Sequence, residues 1–145
     1  MDTKVSNLMR KNVVQFDYED TIIEIAREMT SKKIGSVVIT KNSALHGIIT
    51  KQDLLEKVVQ KCINPCDVFA KDIATSPITT VSPMATIREA LALMLEKGIH
   101  RLPVVDDVNG DLVGIITSSD ILSAVQTRKI SQTPKKGELE ASRVD

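Results

Sequence analysis

Two residue pairs in this chain combine types and spacing that can do chemistry: Thr50 with Asp53, and Thr117 with Asp120. They lie in Gly47-Ile48-Ile49-Thr50-Lys51-Gln52-Asp53 and Gly114-Ile115-Ile116-Thr117-Ser118-Ser119-Asp120. Each reads as a short apolar strand that ends at threonine and turns directly into a helix. A helix start at the carboxyl end of a strand presents free amides and positive dipole, which suits a phosphate. A carboxylate three residues on can accept hydrogen bonds from both hydroxyls of a ribose, as acidic residues do in dinucleotide sites. The same spacing is also a capping box, in which threonine and acid serve only the helix. Two more such boxes, Thr21 to Glu24 and Thr86 to Glu89, read as caps alone. A cap needs neither aspartate over glutamate nor recurrence in both halves, yet it is compatible with both. On these residues the cap and the ligand site both stand.

Little else suggests reactivity. There is no glycine-rich phosphate loop and no Ser/His/Asp or Cys/His set, and the only histidines are His46 and His100. His46 precedes Gly47 in a strand pattern and reads as structural. Cys62 and Cys66 stand in Cys-Ile-Asn-Pro-Cys, half of a zinc site with no matching Cys/His pair elsewhere, so free thiols in a cytoplasmic protein are expected. The sequence predicts no enzyme and no metal.

The elements that must position the two pairs form an internal repeat. Displaced by 65 positions, Thr21 meets Thr86, Glu24 meets Glu89, Met29 meets Met94, Lys32 meets Lys97 and Ile34 meets Ile99. Two extra residues near Asp107 to Asp111 change the offset to 67, at which Gly-Ile-Ile-Thr-x-x-Asp matches completely. In each half a lead-in helix or turn (Val5 to Met9, Ala70 to Ala74) precedes a short strand (Val13 to Phe16, Ile78 to Val81). A capped helix follows, with Ile22, Ile25, Ala26 and Met29, or Ile87, Ala90, Leu91 and Met94, on one face. Gly98 is the expected stop of the second helix, where the first repeat has Lys33. A strand pair and a last helix complete the unit. The turns are Lys41-Asn42-Ser43 and a longer segment containing Asn109-Gly110, a hairpin signal. Pro103 inside a strand pattern predicts an edge or strand-start position. The reading is an α+β fold of two β-α-β-β-α repeats. The expected boundaries are 4–61 for the first domain, 62–67 for a linker, 68–126 for the second domain and 127–145 for a polar, poorly ordered tail.

Composition excludes several classes. Nineteen basic residues balance nineteen acidic ones, so no global field draws the chain toward nucleic acid or membrane. Phe16, Tyr18 and Phe69 are the only aromatics, too few for a base-stacking platform. The tail's basic residues are balanced by Glu138 and Glu140, which disfavours a nucleic-acid role. No apolar run approaches the roughly 18–20 residues of a membrane span, and Met1-Asp2-Thr3-Lys4 is no signal peptide.

The doubled β-α-β-β-α unit, closed twice by Gly-Ile-Ile-Thr-x-x-Asp and carrying Ile99-His100-Arg101-Leu102-Pro103-Val104-Val105-Asp106, resembles a tandem pair of CBS domains, a Bateman module. The resemblance covers roughly residues 4–126. It implies two units packed sheet to sheet in pseudo-twofold symmetry, with clefts that bind AMP, ADP, ATP or S-adenosylmethionine. By that resemblance Asp120 holds a ribose and Thr117 sits near a phosphate, with Asp53 and Thr50 in the pseudo-symmetric site. His100 and Arg101 match positions that face the phosphates. The backbone near Thr80 and Val14 reads the base edge, and Pro103 packs on the ring. In the first repeat Gly35-Ser36 replaces His100-Arg101, so that site lacks its cation, for which Lys32, Lys33 or Lys51 could substitute. The resemblance implies a regulatory module that needs no cofactor, takes an adenosine compound as regulatory ligand, forms a homodimer and signals to a separate regulated protein. The alternatives are a scaffold module that keeps the fold and binds no small molecule and, less favoured, a nucleic-acid-binding variant that uses the tail.

Overall fold

The computed structural model describes residues 3–76 and 78–132. In chain order these form α1 (Val5–Leu8), β1 (Gln15–Asp17), α2 (Ile22–Lys32), β2 (Ser36–Lys41), β3 (Ala44–Thr50) and α3 (Lys51–Leu54), which continues as a π-wound turn over Leu55–Val59. After a 3-10 turn at Pro65–Asp67 come α4 (Ala70–Ile73), α5 (Ile87–Lys97), β4 (Arg101–Val105), β5 (Leu112–Thr117) and α6 (Ser118–Gln132). The fold is α+β with two sheets. The chain divides into two compact units, residues 12–79 and residues 1–11 with 80–145.

In the unit of residues 12–79, β1 runs parallel to β2, and β2 pairs antiparallel with β3. The hairpin turns on Asn42 and Ser43, both at positive φ (52° and 67°), the geometry whose twist suits a two-residue connection. Helix α2 starts at Thr21, whose hydroxyl donates to Glu24 Oε1 at 2.7 Å. It buries Ile22, Ile25 and Met29 against Val37, Ile39 and Ile49 of the sheet. Helix α4 completes this core with Ala70 and Ile73.

The other unit repeats the plan with one strand fewer. Helix α5 starts at Thr86, whose Oγ1 accepts from the Glu89 amide (3.1 Å), and Glu89 Oε1 accepts from the Thr86 amide (2.8 Å). Strands β4 and β5 form the hairpin. The run Ile78 to Val81 is not the expected strand, and only Val81 makes a bridge, to Val104. Its amide donates to Pro103 O (3.0 Å) and its carbonyl accepts from Val105 (2.9 Å). In the first repeat the next bond of this parallel ladder is Val38 N–H to Val14 O (3.0 Å). The equivalent of Val38 is Pro103, which has no N–H, so that bond cannot form. Pro103 is thus neither at the start of its strand nor on an open edge. It is the third residue of β4, fully buried, with β5 on one side and the Val81 bridge on the other.

The compact units do not follow the sequence repeats. Helix α1 belongs to the unit containing the second repeat, and α4 to the unit containing the first. Val5 N–H reaches Ala85 O, and the Arg10 backbone pairs with Ile115 in both directions (2.8 and 2.9 Å). At the equivalent place Thr75 pairs with Ile48. These crossings explain the glycines of the repeated motif. A Cβ on Gly47 would stand 2.6 Å from Thr75 O, and one on Gly114 would stand 2.7 Å from Met9 Sδ and 2.9 Å from Arg10 O. Helix α6 runs to Gln132, so the start of the tail, 127–132, extends the last helix by a turn or two, as its sequence allowed, and 133–145 lie outside the described residues.

Candidate functional site

At the end of β5 the polypeptide passes from ladder to helix within one residue, and Thr117 and Asp120 face each other across that junction. The Asp120 amide donates to Thr117 Oγ1 (3.0 Å), and Asp120 Oδ2 accepts from the Thr117 amide (3.3 Å). The capping box therefore forms, but it uses only one oxygen of the carboxylate. The other, Oδ1, accepts from Arg10, with Nε at 3.0 Å and Nη2 at 2.8 Å. The Asp120 side chain is 12% exposed and that of Arg10 67% exposed.

His100 and Arg101 belong to the same junction. The His100 carbonyl accepts from Ser118 N–H at 2.9 Å, and Arg101 stands opposite Thr117 in the β4–β5 ladder. Thr80 lies in the same unit, next to bridged Val81, and Pro103 is two residues along β4 from Arg101. The unit thus holds Thr80, His100, Arg101, Pro103, Thr117 and Asp120, and adds Arg10. No sequence signal pointed to Arg10. Its equivalent in the second repeat is Thr75, and its partner lies 110 residues away in the chain.

The copy at Thr50 and Asp53 has the same skeleton. Asp53 Oδ2 accepts from the Thr50 amide (2.9 Å) and hydroxyl (3.0 Å), and the Asp53 amide donates to Thr50 Oγ1 (3.2 Å). Lys51 N–H donates to Gly35 O (3.0 Å), as Ser118 does to His100, and Ser36 stands opposite Thr50. Val14 contributes the carbonyl that accepts from Val38. Here too Oδ1 meets a cation, but it is Lys57, one helical turn on, at 3.3 Å. The Lys57 ammonium is also bonded to Ile73 O (3.0 Å). Of the expected substitutes, Lys32 pairs with Glu28 (3.1 Å) and Lys33 occupies the left-handed stop of α2, while Lys51 is the first residue of α3 at this junction. The spacing of Asp53 and Lys57, four residues on a helix, was a readable pairing signal.

In both copies, then, one carboxylate oxygen completes a helix cap and the other is held by a partly or largely exposed cation. A cap accounts for the first oxygen only. The second is an acceptor that a ligand hydroxyl can take if the cation yields. Away from these junctions, Cys62 and Cys66 carry exposed free thiols, and among the described residues no three His, Cys, Asp or Glu side chains group as a metal site. No helix among the described residues is long and apolar enough to cross a membrane.

A family model for the CBS domain matches residues 5–60 and again residues 70–127. An uncharacterized protein of Methanopyrus kandleri is 46% identical over 120 residues, 81% of this chain, and the chain spans 60% of that protein's length. An inosine-5'-monophosphate dehydrogenase of Thermoplasma acidophilum is 36% identical over 105 residues, 72% of this chain and 20% of the enzyme. Among solved structures, a CBS domain pair in complex with 5'-methylthioadenosine and S-adenosyl-L-methionine superposes with a TM-score of 0.77 at 25% identity, covering 88% of this chain and 99% of that one. The match to the family model over both repeats is what the doubled Thr-x-x-Asp junctions and their flanking elements required: the chain belongs to the CBS domain family and carries two CBS domains in tandem.

Proposed function

We propose that this chain is a ligand-sensing regulatory module that binds an adenosine compound at the Thr117–Asp120 junction. In this reading it performs no reaction of its own and signals through a change of conformation to a partner protein. The observation that carries the reading is Asp120 Oδ1, which the cap does not need and which a mostly exposed Arg10 side chain holds; a carboxylate oxygen of this kind suits ribose hydroxyls. The amides at the start of α6, with Arg101 beside them, suit a phosphate. A CBS domain pair of the same fold in complex with two adenosine compounds supports the ligand class. A dehydrogenase that matches this chain over one fifth of its length fits a module that accompanies a separate activity.

The Thr50–Asp53 junction is the weaker site in this proposal. Its carboxylate is neutralised by a lysine on the same helix, which a backbone carbonyl also anchors, and Ser36 stands where the other copy has Arg101. A homodimer is part of the same proposal, supported by apolar side chains left exposed on helices: Leu55, Val59, Leu95, Leu122 and Val125.

The test is a thermal-shift panel with AMP, ADP, ATP, S-adenosylmethionine and NAD on the wild type and on Asp120→Ala. A ligand at a hundred times its dissociation constant stabilises the native state by about 2.7 kcal/mol. The wild type should show that shift with at least one adenosine compound. Asp120→Ala should melt lower without ligand, having lost its half of the capping box and the Arg10 ion pair, and should lose most of the ligand-induced shift. A wild type stabilised by none of the five would overturn the reading in favour of a scaffold module.

A further inference from the structure

We propose that Arg10 makes the Thr117–Asp120 site selective for adenosine ligands that carry phosphate over uncharged ones. This selectivity rests on the proposed binding of an adenosine compound there, and adds to it a residue and a narrower ligand class. Both Nε and Nη2 of Arg10 are spent on one atom, Asp120 Oδ1, at 3.0 and 2.8 Å. That atom is the one the cap leaves for a ribose. A ribose hydroxyl can take it only by displacing the guanidinium.

The cost of that displacement depends on what else the ligand brings. The Arg10 backbone is pinned to Ile115 by hydrogen bonds in both directions, so a displaced side chain stays tethered beside the start of α6. It is also 67% exposed, which leaves it room to swing. An uncharged nucleoside gives the freed guanidinium no new partner, and the lost ion pair counts against binding. A phosphate gives it charge-assisted and forked hydrogen bonds, for which arginine is better shaped than lysine. The ion pair therefore penalises one class of ligand and is replaced in kind by the other.

The repeat supplies an internal contrast. The position equivalent to Arg10 is Thr75, which also pairs its backbone with the neighbouring strand but carries no charge. The cation on Asp53 is Lys57, on the same helix and bonded to Ile73 O, so it has no comparable freedom to follow a ligand. Selection by an exchangeable arginine belongs to one of the two junctions.

Isothermal titration of the full chain with adenosine, AMP and ADP, on the wild type, Arg10→Ala and Arg10→Lys, tests this. Asp120 keeps its cap in both variants. The wild type should bind AMP at least tenfold tighter than adenosine. Arg10→Ala should reduce that ratio at least tenfold, with adenosine bound as tightly as before or tighter, and Arg10→Lys should fall between. An unchanged ratio in Arg10→Ala, or an equal loss for adenosine and AMP, would overturn the selective role while leaving the binding reading intact. A wild type that binds none of the three overturns both.

Discussion

Asp120 serves two demands with two atoms: Oδ2 is committed to the helix and Oδ1 is held by the Arg10 guanidinium. That division explains why a carboxylate suits the position even if a hydroxyl could cap the helix. A second residue-scale contrast lies at the helix stops. Gly98 and Lys33 occupy equivalent positions with nearly the same left-handed backbone, φ 65° and 55°. Both stops close the same way, with Ile99 N–H on Met94 O and Ile34 N–H on Met29 O, each at 3.0 Å. Only glycine takes that conformation without a Cβ clash. Lys33→Gly should stabilise the chain by roughly 0.5–1 kcal/mol, the strain relieved less the entropy glycine adds to the unfolded state. The check is a raised urea midpoint with an unchanged slope.

At the scale of elements, the four threonine boxes were legible in the sequence because every atom they need lies within three residues. The box at Thr21 has a measurable acid–base consequence. Its hydroxyl, then its amide, donate to Glu24, and with Arg27 nearby they hold that carboxyl below its ordinary value of 4.5. A carboxylate with a depressed folded pKa contributes stability that is present above the unfolded value and is lost as pH falls through the folded one. Thr21→Val should therefore raise the Glu24 midpoint toward 4.5 in an NMR titration and weaken the acid dependence of melting below that pH. What the sequence concealed was non-local. The run Ile78 to Val81 stands where the first repeat has Val13 to Phe16, but its pairing depends on a donor that Pro103 lacks. Arg10 was hidden for the same reason: its partner is set by a chain crossing, and nothing adjacent to it in sequence marks an ion pair.

At the scale of the whole molecule, each compact unit has its own buried cluster, one around Ile25, Ile39 and Ile49 and the other around Val5, Leu102 and Ile116. What these cores leave outside includes Leu55 and Leu122, which occupy equivalent positions in the two repeats and are exposed to 52% and 49%. Their recurrence at one repeat position makes these two leucines the residues to test for the proposed homodimer contact. Sedimentation equilibrium should return twice the 15.9 kDa mass of the chain. Leu55→Asp with Leu122→Asp should return the monomer mass while keeping a cooperative melt. A wild type that sediments as a monomer would remove the homodimer from the proposal.

The exchange of lead-in helices also sets a timetable for synthesis. Residues 12–79 include every residue of their core cluster, Ala70 and Ile73 among them, and can condense as soon as they leave the ribosome. The segment 1–11 is made before them but belongs to a unit completed after them. Val5 has no pocket, and Arg10 no strand and no counter-ion, until β5 and the start of α6 have been translated more than a hundred residues later. At about 5–20 residues per second, Val5 and Arg10 wait roughly 5–20 s for their partners. The side chain that neutralises Asp120 is thus among the first made, and it waits for its partner through most of the chain's synthesis.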